Sequence, residues 1–142
     1  MKVLVDTNVW LDLLIYREPH FAFSKGAIMA CIEDSLPLFT AATSLKDIFY
    51  LIDRSLGNKE AYAAIEAILE ISNIATIDEL VCREALQHER PDYEDGIIAA
   101  AALTEKASCI LTRDTKAFCN LDIPSQTPKE FLEAQGYIEI DW

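Results

Sequence analysis

At 142 residues and 15.9 kDa the chain is sized for one domain, expected to span 1–142, with enough length to bury a real core. Its apolar share (51%) and charged share (25%) exclude a disordered chain, and its longest apolar run, Ile97 to Leu103, is far short of the ~20 residues that cross a bilayer. With 24 acids against 12 bases the net charge is -12, whereas a surface that grips nucleic acid is normally basic.

The first residues, Met1 to Asp6, reach an acid before a signal-peptide core can form, so a cytoplasmic protein is expected, with no membrane partner. Cys31, Cys82, Cys109 and Cys119 form no C-x-x-C pair and read as reduced thiols, and His20 and His88 stand apart from them as surface or packing residues.

Lys2-Val3-Leu4-Val5 is short, apolar and β-branched, and it stops at Asp6-Thr7-Asn8; it reads as a strand buried on both faces. A short helix over Val9 to Ile15 follows, closed by Pro19. A second runs from about Phe21 to Ile32 with Phe21, Ile28, Cys31 and Ile32 inward. Leu36 to Thr40 reads as a connection containing at most a short extended piece. Ser44-Leu45-Lys46-Asp47 resembles a capping box, opening a helix whose Leu45, Ile48, Phe49, Ile52 and Leu56 repeat at helical spacing until Gly57-Asn58.

Glu60 to Ile71 is a further helix, Ile74 to Ile77 a second strand, and Asp78-Glu79-Leu80 opens a helix toward His88. Pro91 to Asp95 leads into a helix over Gly96 to Lys106, apolar nearly all round and therefore buried. Cys109 to Thr112 is a third strand, Ile123 to Gln126 an edge strand, and Thr127-Pro128-Lys129-Glu130 a helix start with cap, proline and box glutamate. Strands separated by helices imply a parallel sheet with helices on both faces.

Four acids stand apart from the solvated majority. Asp6 ends the first strand and Asp114 lies just past the third, so both should face the crevice at the carboxyl edge of the sheet. Asp47 and Asp95 fall in the first turns of two helices. Converging carboxylates repel one another unless a cation neutralises them, and a hard divalent ion suits oxygen donors. Such an ion polarises a phosphoryl oxygen and makes bound water nucleophilic, so metal-assisted phosphoester hydrolysis fits the set. Capping explains Asp47 and Asp95 equally well, and the helical wheel sets Asp47 opposite the apolar stripe, where it could face water. Thr112 to Thr115 could equally be a turn and cap. Asp6 is the firmest of the four.

Asp6, Asp95 and Asp114 fall in three segments that resemble the motifs of PIN-domain nucleases. They are Val3 to Asp12, then Pro91 to Ala102 with an acid opening an alanine-rich helix, then Ile110 to Phe118. The likeness implies a three-layer α/β/α sandwich around a mainly parallel sheet, and an Mg²⁺- or Mn²⁺-dependent ribonuclease. It also implies a VapC-like toxin, with an RNA substrate, a homodimer and a small antitoxin as partners. By motif position Asp6, Asp95 and Asp114 become metal-binding carboxylates, with Thr112 a helper. Asp47 takes the place of the family's usual Glu, and Thr7, Asn8 and Glu94 are further helpers. Lys46, Arg54, Arg113 and Lys116 are candidates for a phosphate-facing rim, equally readable as ordinary surface bases. Metal ions in the crevice and salt screening beyond about 8 Å would offset the acidic surface.

Two other readings compete. A PIN fold without useful catalysis would be a binding or scaffold subunit, which Asp at position 47 and the negative charge permit. A haloacid-dehalogenase-type phosphohydrolase also places an aspartate after its first strand, but it resembles Asp-x-Asp, and the second position here is Asn8.

Overall fold

The computed structural model describes residues 1–87 and 92–137. His88 and Pro91 lie outside the described residues. A five-stranded, all-parallel sheet carries the fold. In chain order its strands are β1 (Val3–Val5), β2 (Leu38–Ala41), β3 (Asn73–Ala75), β4 (Cys109–Leu111) and β5 (Ser125–Gln126). Across the sheet they run β3-β2-β1-β4-β5. The helices are α1 (Thr7–Leu14), α2 (Phe21–Glu33), α3 (Ala42–Leu56), α4 (Asn58–Ile71), α5 (Glu79–Ala85), α6 (Tyr93–Thr104) and α7 (Pro128–Ala134), with a 3-10 turn at Thr115–Phe118.

Side-chain alternation along the central strands divides the core into two layers. Val3, Val5, Leu38, Cys109 and Leu111 face α1, α2, α3, α4 and α7. Leu4, Phe39, Ala41 and Ile110 face α5, α6 and the 3-10 turn. This is the expected α/β/α sandwich. Thr40 joins the first layer and is satisfied there, since Trp10 Nε1 donates to its Oγ1 at 3.1 Å and its hydroxyl meets Ser72 Oγ at 2.7 Å.

Most expected elements are present, and three expectations need correction. Leu36 to Thr40 is more than a connection: Leu38–Ala41 is a fully buried strand between β1 and β3, which Pro37 disguises. α3 does not begin on a capping box at Ser44. The chain passes from Ala41 (φ -64°, ψ 137°) straight into the helix, so Ser44 lies inside it with a buried hydroxyl and no hydrogen-bond partner among the described residues. Asp47 therefore sits in the second helical turn. Ile32 faces out, 43% exposed, because α2 buries Ser24, Ala27, Ile28 and Cys31.

Other signals stand as read. Gly57, at φ 101°, ends α3 in a conformation that only glycine adopts freely. α6 buries Gly96 and Ile98 to Ala102. At α7, Thr127 accepts from Glu130 N while Glu130 accepts from Thr127 N, completing a capping box. Among the described residues no helix is long and apolar enough to cross a membrane.

Candidate active site

β1 and β4 are adjacent and parallel, so the residues that follow them emerge together at one sheet edge. Asp6 N–H extends the ladder to Leu111 O at 2.9 Å, and the chain then turns into α1 with Asp6 as its N-cap. The carboxylate is 8% exposed and held at both ends: Oδ1 accepts from Thr7 N at 2.8 Å and Oδ2 from Thr112 Oγ1 at 2.8 Å. Thr112 Oγ1 in turn accepts from Asp114 N at 3.0 Å and from Asn8 Nδ2 at 3.3 Å. Asn8 Oδ1 accepts from Arg113 N at 3.1 Å. Asn8 thus staples the end of β1 to the end of β4.

A cleft of about 500 Å³ opens beside this knot. Asp6, Thr7, Asn8, Asp47, Glu94, Asp95 and Arg113 line it, and Arg17, Tyr50 and Leu51 complete its walls. The structure therefore brings together Asp6, Asp47 and Asp95 from three separate parts of the chain. Asp114 does not line the cleft, yet its charge is felt by both Asp6 and Asp95. Asp47 lies off the core stripe of α3, as its helical-wheel position implies, but the face it occupies is the cleft wall.

The electrostatics record this crowding. Burial pushes the Asp6 carboxyl up, against the lowering effect of its bonds from Thr112 and Thr7, and Asp114 adds to the rise. Asp95 is raised to about 6, by burial first and then by Asp92, Asp6 and Asp114. Glu94 is raised to about 7, chiefly through a hydrogen bond with the Asp47 side chain and then by burial.

Both values lie above the unfolded-chain values of about 3.9 for Asp and 4.3 for Glu. The folded state keeps protons that the unfolded chain has lost, so these groups make stability fall as pH rises from about 4 to about 7. Thermal unfolding in chelator should show that fall, and Glu94→Gln or Asp95→Asn should flatten it. Added Mn²⁺ should also flatten it by favouring the charged carboxylates. A profile indifferent to the variants would contradict the crowding.

The donor set is all carboxylate and hydroxyl oxygen, which suits a hard divalent cation. Among the described residues no three acids, histidines or cysteines stand close enough together to cage an ion by themselves.

The candidate bases are placed unequally. Arg113 lines the cleft, whereas Lys116 lies in the 3-10 turn away from it. Lys46 is 85% exposed and pairs with Asp47 at 3.8 Å. Arg54 sits over the Tyr50 ring, 5.5 Å from its centroid, and donates to the Tyr50 hydroxyl at 3.2 Å.

Sequence reasoning missed the group that fixes Arg113. Asp12 on α1 is fully buried; Oδ2 accepts from Arg113 Nε and Oδ1 from Arg113 Nη2, at 2.6 and 3.2 Å. Ser24 Oγ donates to Oδ2 at 3.2 Å. Arg17 Nε lies 3.2 Å from Oδ1 but off the hydrogen-bonding direction. An acid inside the apolar run Val9-Trp10-Leu11-Asp12-Leu13-Leu14 was the available signal, since a buried charge needs a partner.

A family model described as PIN domain matches residues 2–116. No match is found among curated proteins. Among solved structures the chain is similar to VapC20 of Mycobacterium tuberculosis, described as a sarcin-ricin loop cleaving toxin. The TM-score is 0.66 and the identity 16%, over 87% of this chain and 99% of that one. It is also similar to a toxin–antitoxin complex from Klebsiella pneumoniae, with TM-score 0.69 and 23% identity over 91% and 99% of the two chains. VapBC-1 from nontypeable Haemophilus influenzae gives TM-score 0.69 and 20% identity over 90% and 98%. With its two outer motifs knotted through Thr112 and with more than half its length matched, the chain belongs to the PIN domain family.

Proposed function

We propose that the protein is a metal-dependent endoribonuclease, the toxin of a toxin–antitoxin pair, with catalysis at the carboxylate cleft. The observation that carries this reading is the convergence of Asp6, Asp47 and Asp95 on one cleft, with Asp114 within electrostatic reach. The likeness to VapC20 and to toxin–antitoxin complexes supports the toxin assignment, the RNA substrate and a small antitoxin as partner. A homodimer and a cytoplasmic location belong to the same reading, as does one domain over the whole chain.

Asp6, Asp95 and Asp114, with Asp47, would hold Mg²⁺ or Mn²⁺. When bound, the ion supplies positive charge against the scissile phosphoryl oxygen and lowers the pKa of water. Asp6 is oriented by the Thr112 hydroxyl and the Thr7 N–H, so its rotamer is set before any ligand arrives. Arg113 and Arg17 stand on the cleft wall, where they offset the approach of a polyanion to an acidic protein. Asn8 is committed to Thr112 and Arg113, which leaves no acid at that position for aspartyl-phosphate chemistry.

The test is incubation of total RNA with purified protein, with Mn²⁺ or with excess chelator. Cleavage with the metal and none in chelator is expected. Equal cleavage in chelator would remove the metal from the reading, and none in either condition would favour the scaffold alternative.

A further inference from the structure

Behind Arg113 lies a second cavity, of about 290 Å³, lined by His20, Phe23, Ser24, Arg113, Pro128 and Lys129 together with Thr127. Its lining contains three basic side chains and no carboxylate, in a chain whose acids outnumber its bases two to one. Glu130, next to Lys129, has its carboxylate taken by the Thr127 N–H and does not line the cavity.

Arg113 lines both this cavity and the carboxylate cleft, so the two are neighbours across one guanidinium. Asp12 holds that guanidinium through Nε and Nη2; Nη1 makes no hydrogen bond among the described residues. Asp12 also answers Arg17, so two cations share that one anion. On the far side Lys129 Nζ stands 5.8 Å from the centroid of the Phe23 ring. The volume is at the lower end of small-molecule sites, roughly 300 Å³, enough for one unit of a polymer rather than a folded partner.

Resting on the ribonuclease reading above, we infer that this cavity is a subsite for a phosphate of the RNA strand flanking the cleavage position, bound by Arg113, Lys129 and His20. A phosphate has the charge and the acceptor oxygens to take the Lys129 ammonium, the His20 imidazole and the Arg113 Nη1 that Asp12 leaves free. A polynucleotide also repeats that group, so a strand lying in the carboxylate cleft can place its next phosphate beyond Arg113. The protein would thus hold its substrate at two points, one dominated by carboxylates and one by bases.

The experiment uses the full chain and a short oligouridylate as probe, with affinity measured by fluorescence anisotropy across a salt series. Lys129→Ala, at an exposed position, should lower the slope of log K against log salt by about one and weaken binding. In cleavage assays it should raise KM and leave kcat unchanged. His20→Gln should weaken binding in the same direction. In NMR titrations without metal, the oligouridylate should move the Lys129 and His20 signals.

Unchanged slope and KM in Lys129→Ala would overturn the subsite while leaving cleavage intact. So would signals that respond to inorganic phosphate but not to the oligouridylate. Failure of the ribonuclease reading looks different: oligouridylate binds with the expected salt dependence, but no cleavage follows.

Discussion

Asp12→Ala should destabilise the protein by about 1–3 kcal/mol, the loss expected when a buried, hydrogen-bonded carboxylate is removed and its guanidinium partners, 30% and 38% exposed, are left to water. The carboxylate is fully buried, and its two oxygens answer Arg113, Arg17 and Ser24. Its removal strands two guanidiniums beside each other. Urea unfolding measures the loss directly, and a change below about 1 kcal/mol would show that the clamp adds little. The chain carries its own control in the Arg83–Glu79 pair, whose side chains are 72% and 79% exposed. Glu79→Ala should stay within the range of about 0–1 kcal/mol typical of surface pairs. A function readout separates Asp12 from a merely structural residue: in any folded fraction, the freed Arg113 should raise KM for RNA more than it lowers kcat.

How far the sequence foretold this site depended on whether a signal was local. The doubly buried β1 before Asp6, the apolar body of α6 and the Thr127 capping box rest on residues adjacent in the chain and are found as read, although α6 begins three residues earlier, at Tyr93. β2 was obscured because Pro37 and its neighbours look like a turn, while what makes Leu38–Ala41 a strand is pairing with β1 and β3. Asp47 shows the same gap on a helix. Periodicity tells that it is off the core stripe, but a cleft wall and open solvent look alike on a helical wheel. Asp12 was the reverse case, an acid that joins residues 101 positions apart and is silent until they meet. Asn8 and Arg113, read from the sequence as a helper and a candidate phosphate contact, carry a structural duty in the fold that only long-range contacts disclose.

Asp6→Asn should abolish most cleavage without weakening the fold, and the pairing of those two outcomes is the sharpest test of the site. Asparagine keeps a side-chain oxygen for the Thr7 N–H, so the N-cap of α1 survives. Its amide nitrogen then stands where Oδ2 accepted from Thr112 Oγ1 and cannot accept in turn, which costs about 1 kcal/mol for one altered hydrogen bond. Against this, the substitution removes a buried negative charge that burial and Asp114 both disfavour. In chelator the melting temperature should therefore equal or exceed that of the unaltered protein. With Mn²⁺ the order should reverse, because the variant gains less from the ion. Cleavage should fall by roughly 10²–10³-fold, the loss that follows removal of one preorganised electrostatic contact. Full activity in this variant would show that hydrolysis does not depend on the carboxylate at the end of β1. A lowered melting temperature in chelator would show that the charge is stabilising in place, opposite to the crowding its neighbours impose.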